Sequence, residues 1–335
     1  MVAGLTVAVV LLPQAIAYAM IAELPPQTGL YAAILAAIGG ALWGCSWHLH
    51  TGPTNAISML VLASLLTVAQ PGSPEFLVAA GYMAILVGVM KVLMGLLHLG
   101  VLVNFVADSL IVGFTAGAGT LIGGMQLDEA LGLPPVRATG LRSQAAAILD
   151  LLQEGQHPEV LAVLLAAGTI VVVALGRRFM PRLPTALTAV ALSAFGARAL
   201  GLGRSAGLPL VSDRAPVVSG WPLVAWPTWA PALVEQLLVP ASAIVLLGPL
   251  ELAVSARAGG ARPDMRREIV AQGWANVGGA FTGCFPASAS FTRSALLRLS
   301  GARTRMAAAL SGLVVLPVLL LGSQLIGYIP QSALA

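Results

Sequence analysis

The sequence predicts an all-α membrane protein with an internal inverted repeat, and three observations predict it. The first is composition. Of 335 residues, 58% are hydrophobic and 9% are charged, against about a quarter charged in an ordinary soluble domain. The mean hydropathy is +0.92. So few charges cannot cover a soluble surface, which argues against a soluble enzyme, a disordered chain and a nucleic-acid binder. The second is a series of long apolar runs, because a helix needs about 20 mostly apolar residues to cross a bilayer. The third is a pair of shorter segments, each opened by a proline and placed alike in the two halves of the chain.

In chain order the spans are expected at Val2–Ala22, Leu30–Cys45, Phe76–Leu97, Val101–Met125, Val160–Leu175, Thr185–Leu200, Leu233–Val254, Ile269–Phe281 and Met306–Ile326. Two half-helices, Thr54–Val68 and Ala287–Leu299, come third and tenth and bring the total to eleven segments. Each follows a proline directly, Pro53 and Pro286, and each is too short or too polar at its start to cross alone.

Arginine sets the expected orientation. Arg177, Arg178 and Arg182 lie between segments six and seven, and Arg257, Arg262, Arg266 and Arg267 between eight and nine. Arg298, Arg303 and Arg305 lie at and beyond the end of segment ten. With the N-terminus in the cytoplasm all three clusters fall inside, as the positive-inside rule requires. The loops 126–157 and 201–232 then fall outside, and Trp221, Trp226 and Trp229 suit an interfacial belt. The net charge of +4 is read the same way, as basic cytoplasmic loops.

The half-helices carry most of the functional signal. Gly52-Pro53-Thr54-Asn55-Ala56-Ile57-Ser58 and Phe285-Pro286-Ala287-Ser288-Ala289-Ser290 are alike. Interrupted segments at matching places in two halves point to inverted repeats with a binding site between them. Non-helical backbone survives at membrane depth only where protein or a water-filled cavity satisfies it. Two helix N-termini meeting at one point make a positive site, so the expected substrate is an anion.

An ionisable side chain at membrane depth costs about 2.5–3.5 kcal/mol on insertion scales and needs a partner or a cavity. Glu251 lies in segment eight with Ser255 one turn later, and Arg293 lies in the second half-helix. Glu251 is a candidate proton carrier. Arg293 either binds the anion or supplies field and pairs with Glu251. Gln14 and Tyr18 share one face of segment one, and Glu23 closes that segment. Lys91 and Asp108 are expected to snorkel or to pair structurally, and His48 and His50 to lie solvated in a loop. Gly113, Gly117, Gly119 and Gly123 read as small-residue helix packing. Cys45 and Cys284 make neither a disulfide framework nor a metal-ligand spacing. The HExxH, GxSxG and Walker A patterns are absent, so neither an enzyme, a cofactor nor a metal is expected.

These residues resemble the sulfate permease (SulP) family of anion transporters. The resemblance rests on Leu12-Pro13-Gln14-Ala15-Ile16-Ala17-Tyr18-Ala19 and Leu24-Pro25-Pro26-Gln27-Thr28-Gly29-Leu30-Tyr31. It continues in Gly52-Pro53, in Gly113-Phe114-Thr115 and in the run Arg267-Glu268-Ile269-Val270-Ala271-Gln272-Gly273-Trp274-Ala275-Asn276. Ser290-Phe291-Thr292-Arg293-Ser294-Ala295 and Gly301-Ala302-Arg303-Thr304 complete it.

The resemblance implies a seven-plus-seven transmembrane inverted repeat with core and gate domains and an elevator movement of the core. Residues 1–100 and 231–327 would form the two parts of the core (segments 1–4 and 8–11). Residues 101–230 would form the first part of the gate (segments 5–7 and the outer loop), and 328–335 the start of segment twelve. The chain is expected to be truncated after about eleven segments, without segments 12–14 and the cytoplasmic STAS domain. Carried over by motif, Gln14, Tyr18, Thr54, Asn55, Ala56, Ser290, Phe291, Thr292, Arg293 and Ser294 would bind the substrate. Glu251 and Glu23 would couple protons, with Ser255 in support. Glu23 stands where the family usually has glycine.

Sodium-coupled bicarbonate members pair a carboxylate in segment eight with a hydroxyl one turn on. Glu251 and Ser255 fit that pattern, but the charge of Arg293 opposes a sodium ion. The reading is therefore a secondary active transporter of small inorganic or organic anions in the bacterial inner membrane, sulfate or dicarboxylate favoured, by proton symport. Exchange, sodium-coupled bicarbonate transport and an anion channel on the same fold are the alternatives. The expected partners are the anion, protons and the lipid bilayer, with a homodimer possible within the family and no nucleic acid.

Overall fold

A computed structural model describes residues 1–99, 126–134, 136, 140–180, 185–203, 208–214, 220, 230–258, 263–321 and 326–334, with 113, 116–117, 119–120 and 123–124. In chain order the elements begin with α1 (Val2–Ile21), α2 (Pro26–Trp43), strand β1 (Thr51–Gly52), α3 (Asn55–Leu65) and α4 (Pro74–Leu96). Next come α5 (Leu127–Leu131), α6 (Leu141–Gln153), α7 (Val160–Phe179), α8 (Thr185–Ala199) and α9 (Val211–Arg214). The last are α10 (Pro231–Ala258), α11 (Met265–Ala280), strand β2 (Ser288–Ala289), α12 (Phe291–Leu299), α13 (Met306–Leu321) and a 3₁₀ turn at Gln331–Ala333. The span expected at Val101–Met125, the residues Asp108, Arg182 and Arg262, and the three interfacial tryptophans lie outside the described residues.

Local chemistry sets the element ends. Pro26 opens α2 at its first position, where a missing N–H costs nothing, so this helix starts four residues before the expected Leu30. Ser73 accepts the Phe76 N–H at 3.2 Å and caps α4, and Asp264 does the same for Arg267 in α11. Arginines cap the opposite ends. Arg267 donates to the Trp43 carbonyl and Arg305 to the Gly44 carbonyl at the end of α2, and Arg266 donates to the Gly95 carbonyl at the end of α4. Cations there satisfy the last carbonyls and oppose the helix dipole.

The chain divides into two units, Met1–Ile111 with Gly220–Leu320, and Val112–Ser219 with Leu321–Ala335. In the second, the loop expected at 126–157 contains two helices, α5 and α6. Buried Asp128 joins them by accepting from Gln144 Nε2 at 3.1 Å and from the Val136 N–H at 2.8 Å. In the first, a core including Ile57, Val61, Phe76, Met83, Leu237, Ile244 and Phe285 joins α3, α4 and α10. Among the described residues, three helices, Val2–Ile21, Pro74–Leu96 and Pro231–Arg257, are long and apolar enough to cross a membrane. Their outer faces expose Leu93, Leu96, Val239 and Leu246, and α7 and α8 expose Leu164, Ile170 and Phe195. Apolar surface on this scale marks an interface with membrane or with other protein.

Lipid tails are as apolar as leucine, so helices in a bilayer associate through close packing and hydrogen bonds. In α4 and α11 the backbones touch: a Cβ on Gly88 would stand 2.8 Å from the Gly273 carbonyl, and one on Gly273 2.8 Å from the Gly88 carbonyl. The packing expected at Gly113, Gly117, Gly119 and Gly123 is not made among the described residues, where nothing lies within 4 Å of a Cβ position.

Candidate functional site

Gly52-Pro53 cannot continue a helix. Pro53 lacks an N–H, and it biases the residue before it away from helical backbone. Thr54 is extended and α3 begins at Asn55, two residues beyond Pro53. In the other arm α12 begins at Phe291, five residues beyond Pro286, so the half-helix expected from Ala287 opens instead as strand β2. The two strands pair antiparallel, Thr51 with Ala289 and Gly52 with Ser288. The Ser290 N–H donates to the His50 carbonyl at 2.9 Å and extends the pairing. The sequence reading placed no strand here. The pairing answers the demand that membrane-depth backbone be satisfied internally, and it sends the two half-helices off in opposite directions. Neither cap residue, Thr54 nor Ser290, accepts a backbone N–H of its own helix through its side chain. The first-turn N–H groups, with about half a positive charge at each end, are left without a side-chain cap.

Arg293 sits at the crossing with no exposed surface. Its Nη1 donates to Gln14 Oε1 at 3.0 Å, its Nε to His50 Nδ1 at 3.1 Å and its Nη2 to the Pro53 carbonyl at 2.8 Å. The guanidinium therefore joins α1 and both arms through three hydrogen bonds. Guanidinium carries five N–H groups, so one on each terminal nitrogen makes no hydrogen bond among the described residues. Gly52 permits the close approach of the guanidinium: a Cβ there would stand 3.0 Å from Nη2.

Glu251 reaches the same place from α10. Its Oε1 accepts from Thr54 Oγ1 at 2.9 Å, and its Oε2 is buried without a hydrogen-bond partner among the described residues. The carboxylate makes no direct pair with Arg293, whose bonded donors all go elsewhere. Lys91 is a further buried charge, 1% exposed. It does not snorkel. Its ammonium donates to Gln272 Oε1 at 3.0 Å and to the Ala287 carbonyl at 3.1 Å, and it lies against Gly248, three residues before Glu251. Asn276 holds the same residue on both sides, accepting from the Ala287 N–H at 2.7 Å and donating to the Ala287 carbonyl at 3.0 Å.

Among the expected site residues, Gln14, Thr54, Glu251 and Arg293 meet through these bonds. Tyr18 packs against the core one turn from Gln14. Asn55 opens α3 with its Oδ1 buried and unpartnered among the described residues, and Ser255 Oγ is in the same condition. Ala56 is half-buried in the first turn of α3. Ser290 Oγ faces Thr292 Oγ1 at 3.4 Å. Phe291 is 45% exposed, and Thr292 is exposed as well. Ser294 is buried and its hydroxyl accepts the His50 N–H at 3.0 Å. Glu23 lies in the turn after α1, with φ at +52°. Glycine adopts that left-handed backbone without a steric cost, whereas a residue with a Cβ adopts it uncommonly.

The histidines are a correction. His48 and His50 were expected in solvent, and neither has any exposed surface. Residues 44–50 are held inside instead. Glu268 accepts the N–H groups of Cys45 and Ser46 at 2.6 and 2.7 Å, and Ser46 Oγ meets His48 Nδ1 at 3.0 Å. Sequence reasoning also passed over Gln272, Asn276 and Ser311. The available signal was the pair Gln272 and Asn276, two amides four apart on one face of an otherwise apolar segment.

The sequence profile of the Sulfate permease family matches residues 1–335. Sulfate transporter 4.1, chloroplastic, of Arabidopsis thaliana is 30% identical over the whole chain. YvdB of Bacillus subtilis, named as a putative sulfate transporter, is 31% identical, again over the whole chain. The chain spans 49% of the length of the first and 62% of the second. The transmembrane domain of a cyanobacterial bicarbonate transporter, BicA, superposes with a TM-score of 0.85 at 24% identity, covering 100% of this chain and 85% of that one. That likeness shows the shared fold.

Proposed function

This chain belongs to the sulfate permease family, and we propose that it is the membrane part of a secondary anion transporter that moves sulfate or a dicarboxylate together with a proton. The family is one of transporters, so the site is read as a binding site and not as a catalytic one. The observation that carries the reading is Arg293: a buried guanidinium, held at the crossing of two half-helices, with two N–H groups uncommitted. An anion held there would also meet the free first-turn N–H groups of α3 and α12.

Charge supports the divalent class. Arg293 and Lys91 are two buried cations, and half-buried Glu251 brings one carboxylate, its Oε2 buried, to the same crossing. With Glu251 ionised the excess is one positive charge, and with Glu251 protonated it is two. A divalent anion arriving with one proton matches the second state. A sodium-coupled bicarbonate reading has one observation in its favour: Glu251 Oε2 and Ser255 Oγ have no hydrogen-bond partner among the described residues. Two nearby fixed cations weigh against it. Glu23, in the turn after α1, is the weaker proton candidate.

The orientation, the elevator movement of residues 1–100 and 231–327 against a gate, the bacterial inner membrane and a homodimer belong to the same reading. The first is supported by the arginines at the ends of α2 and α4, whose side the charge rule makes cytoplasmic. The others rest on the family resemblance.

The test is uptake of labelled sulfate, succinate, bicarbonate and chloride into proteoliposomes, with and without an inward proton gradient. Sulfate or succinate uptake that rises with the gradient is the expected result. Uptake indifferent to the gradient but driven by a counter-anion overturns symport in favour of exchange. In Glu251→Gln, which keeps an acceptor for Thr54, the gradient should no longer stimulate uptake. If stimulation survives, the proton travels on another group.

A further inference from the structure

We propose that His50 is a positioning residue for the anion site: as a neutral imidazole protonated on Nε2, it holds the Arg293 guanidinium in its binding orientation and ties it to α13. The proposal rests on the reading of Arg293 as the anion's cation.

The directions of the hydrogen bonds fix the role of the ring. Arginine only donates, so the Nε–H of Arg293 at 3.1 Å from His50 Nδ1 must find a lone pair there. The neutral ring then carries its proton on Nε2. That nitrogen stands 2.9 Å from Ser311 Oγ, and Ser311 Oγ donates in turn to the Ala308 carbonyl at 2.6 Å. The chain from Arg293 through His50 and Ser311 to the backbone of α13 thus has one direction throughout. An imidazolium would set N–H against N–H at its first link.

The backbone of His50 is held as tightly as its ring. Its N–H donates to Ser294 Oγ at 3.0 Å, and its carbonyl accepts from the Ser290 N–H at 2.9 Å. Both partners belong to the start of α12, the helix that carries Arg293. His50 therefore grips the second arm from the first at three points. The remaining bonds of Arg293, to Gln14 and Pro53, use only the terminal nitrogens. Without His50 the guanidinium loses the one contact along its Nε edge, and its plane is free to turn about the others.

The experiment separates the Nδ1 acceptor from the bulk of the ring. In His50→Asn the new amide oxygen would lie near the position of Nδ1, whereas in His50→Phe the ring keeps the shape without the acceptor. For sulfate and succinate uptake, His50→Phe should raise KM about tenfold or more with the maximal rate within about twofold. His50→Asn should stay within about threefold of the natural protein in KM. Ser311→Ala, which removes the acceptor for Nε2 together with its bond to the Ala308 carbonyl, should raise KM by about threefold and serves if His50→Phe does not fold. An unchanged KM in a folded His50→Phe, or a His50→Asn as impaired as His50→Phe, overturns the proposal. The tautomer is tested without transport by nitrogen-15 NMR of labelled histidine in the natural protein, with His50→Asn to assign the signal. The Nε2–H form is expected, and an Nδ1–H form overturns the proposal. If neither sulfate nor succinate is taken up by the natural protein, the transport reading fails while the tautomer still decides the geometry.

Discussion

Counted from their cap residues, the two arms run Thr54-Asn55-Ala56-Ile57-Ser58 and Ser290-Phe291-Thr292-Arg293-Ser294. Both caps are extended and followed at once by helix, and the fourth and fifth residues of both arms are fully buried. The fourth residue is Ile57 in one arm and Arg293 in the other. Where α3 places a methyl-bearing side chain in the core, α12 places the cation. The fifth residues diverge as well: Ser58 bonds back to the Thr54 carbonyl of its own helix at 2.9 Å, whereas Ser294 accepts from His50 across the crossing. A repeated backbone thus yields a single cationic pole. The first arm contributes acceptors, His50 Nδ1 and the Pro53 carbonyl, and the second contributes the donor that uses them.

Making the arms alike should have the largest effect. Arg293→Ile copies the first arm into the second and leaves Gln14, His50 and Pro53 without their donor. Hydrogen bonds to charged groups contribute about 1.5–3 kcal/mol each. Loss of the set should weaken anion binding by at least about 100-fold, measured by equilibrium binding of labelled sulfate. Retained affinity would mean that the helix N-termini alone hold the anion.

A smaller change presses on the same contact from the other arm. Gly52→Ala places a methyl 3.0 Å from Arg293 Nη2, and overpacking of this kind costs about 1–3 kcal/mol. The expected result is a rise in KM of about tenfold, with the protein still folded. No change would show that the guanidinium can shift without loss.

The two cap hydroxyls give the smallest and sharpest comparison. Thr54→Val removes the donor to Glu251, leaves a carboxylate oxygen unmet and should lower gradient-driven uptake about fivefold, equivalent to about 1 kcal/mol. Ser290→Ala breaks only a long contact to Thr292 and should change uptake by less than about twofold. Equal effects would mean that the Thr54–Glu251 bond does not matter for coupling.

Much of this was legible before any coordinates. Pro53 and Pro286 announced the two interruptions, and Arg293 and Glu251 stood out as charges in apolar text. Aligning the arms by their prolines, however, set the second arm out of step, because β2 follows Pro286 whereas β1 precedes Pro53. Cap residues, not prolines, are the equivalent points. His50 was misread for a related reason. Nothing local distinguishes a solvated loop histidine from one whose partner, Arg293, is 243 residues away. Lys91 was recognised as costly at membrane depth, but its acceptors on α11 and before β2 were not predictable from its neighbours.

By itself, then, the sequence determined the fold class, the existence of two interrupted helices and which charges had to find partners inside. Those follow from composition, from proline's missing N–H and from the cost of burying charge, all of which act over a few residues or over the whole chain. Only the tertiary structure decided which charge faces which acceptor: Arg293 with His50, Gln14 and Pro53, Thr54 with Glu251, and Lys91 with Gln272. Such choices depend on distances of about 3 Å between segments remote in the chain, and neither periodicity nor composition carries that information.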